Sequence, residues 1–260
     1  MYVVQDDPDL RYLQRTPAGA EYVRQITAHE PDRCTRAAFQ DLVLAIAAPG
    51  ARLFDFGAGP GLDARFFAER GFTVDAYDAD PRMREFFAEH CRDLLDSGRV
   101  TQNDGGYREF LTHAAVPHGR CADLVISNFA PLNLVDDLHE LFGRFAALTG
   151  PEGKILASVL NPCLVDEMRF RWWWRGAARL WRDGERFMPG PQAPHYRRLL
   201  RHFRAASAPH FRLSRLFRDT PSARTELGGG VDLQGAGRFA WLHVVRCRYM
   251  FLLFEKNHRP

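Results

Sequence analysis

Lysine is nearly absent from this chain: of its 35 basic residues only Lys154 and Lys256 are lysines, and arginine supplies the rest. A bias that runs through the whole sequence describes its composition rather than a site. No apolar run approaches the roughly 20 residues needed to cross a bilayer. The opening residues, Met1 to Asp7, are acidic where a secretory leader would be basic and then apolar. Neither a membrane span nor a leader is expected. The five cysteines, at 34, 91, 121, 163 and 247, show no C-x-x-C and no zinc-ligand spacing. They read as free thiols in a reducing cytoplasm rather than as a disulfide framework.

What is present suits a globular enzyme. A chain of 260 residues, 46% of them hydrophobic, can bury a sizeable core as one domain with an elaboration. The net charge of +3 hides an uneven distribution. Residues 1–160 carry 16 basic against 24 acidic side chains, and residues 161–260 carry 19 against 8, so the two parts stand at −8 and +11.

The richest stretch is Asp55-Phe56-Gly57-Ala58-Gly59-Pro60-Gly61, which follows the apolar Leu53 and Phe54 and precedes a helical pattern. It predicts a strand, a glycine turn and a helix, with backbone open to a ligand and unpaired N–H groups at the helix start. A dinucleotide fingerprint would need its third glycine at 62, where the chain has Leu62. An acid two residues before the first glycine would repel a pyrophosphate but accept bonds from an ammonium. Downstream, Thr73 to Asp78 predicts a second strand ending in an acid, the position from which a carboxylate holds both hydroxyls of a ribose.

Taken with four further segments, this pattern resembles the class I S-adenosylmethionine-dependent methyltransferases. Asp55 to Gly61 matches the family's first motif. Asp78-Ala79-Asp80-Pro81-Arg82-Met83 matches the end of its second strand. Val100 to Gly105 supplies Asp104 for the adenine amine. Ala122 to Phe129, and Pro151 to Val159 after a P-x-G turn, resemble strands four and five. Met250 to Lys256 looks like the last, antiparallel strand. The resemblance implies an α/β fold, a Rossmann-like sheet of seven mostly parallel strands with helices on both faces. It also implies S-adenosylmethionine as cofactor and S-adenosylhomocysteine as product. The cofactor residues it implies are Asp55, Gly57, Ala58, Gly59, Gly61, Asp78, Ala79, Met83, Asp104, Gly105 and Asn128.

Organisation follows from the same reading. Short helices from about 8 to 30 and a helix over 33–47, with Phe39, Leu42, Val43 and Ile46 at helical spacing, make residues 1–48 an N-terminal lid. Residues 49–160 form the cofactor-binding core, with helices over 64–70, 81–97, 105–115 and 135–148 between the strands. Residues 161–208 are a helical cap inserted after strand five, and 209–260 hold the C-terminal antiparallel strands. Within the cap, Phe170, Trp174, Ala178 and Trp181 make an apolar helical face beside an arginine stripe at 171, 175, 179, 182 and 186. Past a Pro/Gly-rich hinge at 188–194, Tyr196, Leu199, Leu200 and Phe203 predict a second helix with Arg197, Arg201 and Arg204.

An insert at the ligand-binding edge is a candidate lid and substrate-recognition element, the plainer alternative being an ordinary lid with its tryptophans packed on the sheet edge and its arginines solvated or paired with the acidic N-terminal half. Its arginines and aromatic rings suit an aromatic, apolar or anionic acceptor, free or carrier-bound. They also suit weak contact with an anionic membrane surface through 169–204. Asn128-Phe129-Ala130-Pro131 lacks the D/N-P-P-Y/F pattern of nucleic-acid amino methyltransferases, so a nucleic-acid substrate is not expected. The candidate bases are His139, His195, His243 and Tyr196, with His195 and Tyr196 preferred at the start of the second cap helix. Asp136 and Asp137 are read as a helix cap rather than metal ligands. The reading is a cytoplasmic methyltransferase for a small or medium organic molecule, with oxygen favoured as acceptor atom. The alternatives are an inactive cofactor-binding scaffold and, behind it, a nicotinamide oxidoreductase.

Overall fold

The computed structural model describes residues 27–112, 120–188, 194–219, 230–233 and 242–257. Helices expected upstream of residue 27, and the 113–115 end of another, lie outside them. Helix α1, Glu30–Ile46, leads into strand β1, Arg52–Phe56. Then follow α2, Leu62–Ala68; β2, Thr73–Tyr77; α3, Pro81–His90; α4, Arg92–Asp96; and β3, Val100–Asn103. Next come α5, Tyr107–Thr112; β4, Ala122–Ser127; a 3-10 turn at Pro131–Asn133; α6, Leu138–Leu148; and β5, Thr149–Leu160.

The cap holds α7, Val165–Met168; α8, Arg171–Asp183; β6, Glu185–Met188; β7, His195–Arg198; and α9, Leu200–Ser207. Strands β8, Phe211–Arg218; β9, Val231–Asp232; and β10, Tyr249–Lys256, complete the described chain. Asp80 and Asp137 start α3 and α6 by accepting backbone N–H bonds from Arg82 and from His139 and Glu140. The expected helix over 81–97 is two helices, because Cys91 leaves helical conformation where its thiol packs beneath Gly61. No described helix is long and apolar enough to cross a membrane.

The main sheet runs β3-β2-β1-β4-β5-β10-β8-β9. β1 to β5 are mutually parallel, β10 is antiparallel to both β5 and β8, and β8 therefore runs with the first five. Among the described residues the sheet has eight strands rather than the expected seven, the extra being the two-residue β9 on the β8 edge. Alternate residues feed two cores. Phe54, Phe56, Ile155, Ala157, Met250, Leu252 and Phe254 face α6 and α9. Leu53, Val74, Ala76, Leu156, Phe251 and Leu253 face α1 and α2.

The cap differs from its helical expectation in two ways. β6 and β7 form an antiparallel hairpin, so Tyr196 and Arg197 sit on a strand, and the helix starts only at Leu200. In α8 the buried side is Trp173, Ala177 and Leu180, packed on Cys163, Met168 and Leu199. The face formed by Phe170, Trp174, Ala178 and Trp181 is exposed instead. Arg186 lies beyond the helix, which ends at Gly184 in left-handed conformation. Its guanidinium donates to the carbonyls of Trp172 and Trp173 across Gly176, where a Cβ would collide with it.

Candidate functional site

The glycine loop leaves β1 at the carboxyl edge of the sheet. Gly57, Gly59 and Gly61 have φ of 76°, 54° and 82°. Gly57 N and Ala58 N donate to Tyr77 O, which ties the loop to the end of β2. A side chain on Gly61 would run into Cys91 and Phe87, whereas one on Gly59 would meet nothing within 4 Å. Gly61 thus serves packing of the loop on its helix, and Gly59 presents backbone to open space.

Asp78 follows β2. Its Oδ2 accepts from Gly59 N at 2.8 Å and its Oδ1 from Asp80 N at 2.9 Å. Burial pushes this carboxyl up to about 6, against the pull of those two N–H groups. A carboxylate offers about four lone-pair directions, so one on each oxygen remains for a diol. Asp55 is buried at the end of β1, and its Oδ2 has no hydrogen-bond partner among the described residues. Burial raises its pKa well above the ordinary range; Asp63 adds to this, Arg36 opposes it and Asp78 adds again. A buried carboxyl oxygen of this kind can accept from a ligand's donor, a cation or a water.

Around Asp55 lies a polar cluster that sequence reasoning did not find. Asp63 accepts from Arg36, from Gln40 at 2.7 Å and from Asn128 Nδ2 at 3.0 Å. The residues are far apart in the chain, and no local spacing announces them. Asn128 also accepts from Phe129 N at 2.9 Å, holding the exit of β4. Phe129 and Ala130 both have positive φ, 59° and 67°, a strained arrangement for two side-chain-bearing residues in succession. The Phe129 ring is edge-on to Tyr249, with the Arg36 guanidinium 4.6 Å from its centroid.

The strained exit sets Pro131 against the glycine loop, so close that a Cβ on Gly57 would lie 2.4 Å from Pro131 Cγ. Two residues on, Asn133 donates to Tyr196 O at 2.6 Å and accepts from Leu160 N at 3.0 Å. The loop after β4 therefore joins the glycine loop, β5 and the cap hairpin. Arg198 locks this junction from within. Fully buried, it donates to the carbonyls of Leu132, Val135 and Asp136 and to Glu185. Burial lowers its pKa, with Glu185 opposing.

The strand geometry of β7 separates the two preferred bases. Tyr196 faces the loop after β4, and its hydroxyl donates to Asp136 Oδ1 at 2.5 Å. Burial and that bond push the phenol up to about 12. His195 Nε2 accepts from Arg197 Nε at 3.3 Å. Arg197 in turn donates to Asn161 O and Glu167, beside the exit of β5. His139 lies on the exposed side of α6, and the backbone carbonyl of His243 accepts from Arg218 far from β7 in sequence. Asp137 caps α6, as expected of the pair, while Asp136 serves Tyr196.

Ala79 packs partly buried against one core, Met83 is half-buried on α3, and Gly105 sits past β3 at φ 104°. The Asp104 side chain is 93% exposed, 3.9 Å from Arg84. The structure thus brings together Asp55, the glycines, Asp78 and Asn128, and leaves Asp104 pointing to solvent.

The methyltransferase-domain family matches residues 28–203, a span that takes in the glycine loop, both acids and most of the cap. The chain belongs to that family. No curated protein matches it at a significant level. Among solved structures this methyltransferase is similar to a TehB-like S-adenosylmethionine-dependent methyltransferase from Corynebacterium glutamicum, at 13% identity and a TM-score of 0.57, covering 96% of this chain and 100% of that one. It is similar to the 1,6-didemethyltoxoflavin-N1-methyltransferase of Burkholderia thailandensis, solved with 1,6-didemethyltoxoflavin and S-adenosylhomocysteine (18% identity, TM-score 0.58, 95% of this chain and 86% of that one). A third is geranyl diphosphate C-methyltransferase from Streptomyces coelicolor, at 17% identity and TM-score 0.54, covering 94% and 87%. At such identities the likeness establishes the class I fold.

Proposed function

We propose that this methyltransferase takes its methyl group from S-adenosylmethionine and passes it to a small or medium organic molecule in the cytoplasm, releasing S-adenosylhomocysteine. The observation that carries this reading is the buried, unpartnered Oδ2 of Asp55 behind a G-x-G-x-G loop. That oxygen suits the ammonium of a methionyl group and repels a pyrophosphate. With Leu62 in place of a third dinucleotide glycine, the nicotinamide reading loses its support.

The cofactor supplies an already activated methyl on a sulfonium, so the chain's task is to bind, align and exclude water. Asp55 answers the ammonium. Asp78 gives its two free lone-pair directions to the ribose hydroxyls. Gly59 presents backbone to the cofactor, while Gly57, Ala58 and Gly61 hold the loop in the shape that lets it do so. Ala79, Met83, Asp104 and Gly105 are assigned to the adenine end, and Asn128 holds the exit of β4 at the reacting edge. The cap hairpin closes the acceptor side.

Tyr196 keeps its proton at neutral pH because its phenol is pushed up to about 12. Its one proton is committed to Asp136 Oδ1, so toward an acceptor the phenol offers oxygen lone pairs and positions a donor group rather than serving as a free base. His195, with Nε2 engaged by Arg197, orients as well. Acceptors that are nucleophilic without a strong base fit best, with a hydroxylated aromatic or carboxylated molecule favoured. The test is release of S-adenosylhomocysteine from S-adenosylmethionine across a panel of such acceptors, with product mass as readout. Methylated product is expected; tight cofactor binding with no turnover across the panel would overturn the reading.

A further inference from the structure

Helix α8 spends its inner face on the cap and leaves a second aromatic face uncovered. Trp174, Trp181 and Phe170 are 60%, 49% and 44% exposed. The Trp174 indole is fixed there, with Nε1 donating to Met168 O at 2.7 Å and its ring edge-on to Trp173 at 4.9 Å. Beside these rings, opposite the buried Trp173, Ala177 and Leu180, run Arg171, Arg175, Arg179 and Arg182 at helical spacing. Asp183 pairs with Arg179 at 3.7 Å and with Arg182 at 2.7 Å. Arg171 and Arg175 make no ion pair among the described residues. The surface is thus cationic, convex and rich in indole.

Each partner class satisfies a different part of it. An acidic protein would answer the arginines and leave the indoles to find their own pockets. A single strand of nucleic acid is better held by a groove that tracks its backbone, and a duplex would answer the arginines through its phosphates while giving two exposed indoles no apolar layer to enter. A bilayer with anionic headgroups answers both at once, since indoles settle at headgroup depth while guanidinium groups meet phosphates. We propose that α8 docks this protein on an anionic lipid surface, with Trp174 and Trp181 at headgroup level and Arg171, Arg175, Arg179 and Arg182 over the phosphates. The cap that carries α8 follows the carboxyl end of β5, so the docking helix belongs to the part of the molecule at the edge where the glycine loop lies. Amphiphilic acceptors would reach the site from the lipid. That consequence rests on the proposed function; the docking itself does not.

The experiment is co-sedimentation of the full chain with vesicles of phosphatidylcholine alone and of phosphatidylcholine mixed with phosphatidylglycerol, with tryptophan emission recorded in parallel. The variants are Trp174→Ser/Trp181→Ser and Arg171→Gln/Arg175→Gln, all at exposed positions, with thermal midpoints to show that both fold. Wild type is expected to bind only the anionic vesicles, with a blue-shifted emission that the tryptophan variant loses. At about fivefold per arginine, the arginine variant should bind roughly 30-fold more weakly. No binding of wild type to anionic vesicles, equal binding by folded variants, or equal binding to the neutral vesicles would overturn the proposal. So would self-association in solution that buries the same tryptophans, shown by a dimer that the Trp174→Ser/Trp181→Ser variant abolishes. Cofactor binding, measured separately, reports on the proposed function alone.

Discussion

Two alanine substitutions in one loop should fail in opposite ways. At Gly59 a methyl group meets nothing within 4 Å, so the folded protein bears only the strain of φ 54°. A left-handed conformation costs a side-chain-bearing residue ~1–2 kcal/mol. At Gly61 the same strain is joined by a Cβ lying 2.7 Å from Cys91 Sγ and 2.8 Å from Phe87 Cδ2. Both side chains are buried in the core, and overpacking there adds ~1–3 kcal/mol, for a total of ~2–5 kcal/mol. At this chain length each kcal/mol lowers the melting midpoint by ~2–4 °C. Gly59→Ala should therefore melt a few degrees low, and Gly61→Ala markedly lower. Affinity should reverse the order of harm. On the proposed site the cofactor meets backbone in the open space before Gly59, and a clash of ~2 kcal/mol there would weaken Kd roughly 30-fold. Thermal melts without ligand and calorimetric titration with S-adenosylhomocysteine measure both. A Gly59→Ala protein that binds like wild type, or a Gly61→Ala protein as stable as Gly59→Ala, would refute the assignment of ligand contact to one glycine and packing to the other.

Other residues give equally specific expectations. Asp78, with its carboxyl at about 6, is mostly protonated at pH 5, so cofactor affinity should fall about tenfold between pH 7 and pH 5, and Asp78→Asn should bind weakly with a flat profile. Because that pKa is raised on folding, ionising Asp78 opposes the fold, and ligand-free stability should decline from about pH 4 to pH 6 in wild type and less so in Asp78→Asn. Asp55→Asn removes a buried acid whose Oδ2 has no partner. The variant should keep or gain stability above neutral pH while cofactor Kd worsens by at least about tenfold, the worth of a charge-assisted bond. Arg198→Met leaves three backbone carbonyls without their buried donor and Glu185 with His202 alone, so it should lower stability by ~3–5 kcal/mol and expose the cap to limited proteolysis. A variant as resistant as wild type would show that the hairpin is held elsewhere.

The parts legible in the sequence were those written in local spacing. The glycine loop and the acid after β2 could be placed by counting, and the strands by their apolar runs, because a parallel sheet buried on both faces repeats one signal. The cap shows where that logic ends. Trp172, Trp173 and Trp174 in succession put an aromatic on every side of α8, so two apolar stripes were available, 170/174/178/181 and 173/177/180. The choice fell to a tertiary partner, the surface made by Cys163, Met168 and Leu199, which periodicity does not contain. Tyr196 and Arg197 misled for a related reason. A helical pattern of basic and apolar residues also fits a strand when one of the arginines turns inward, as Arg198 does onto three carbonyls. The cluster of Arg36, Gln40, Asp63 and Asn128 joins three separate elements, and the left-handed pair Phe129-Ala130 has no glycine to mark it.

The measurement that tests the account most directly is calorimetric titration of the full chain with S-adenosylmethionine, S-adenosylhomocysteine and NADH, with Asp78→Ala alongside. Binding of both adenosyl ligands, no binding of NADH, and a weakened variant are the results predicted from Asp55, Asp78 and the glycine loop. Failure to bind either adenosyl ligand, or a preference for NADH, would contradict the assignment of the site.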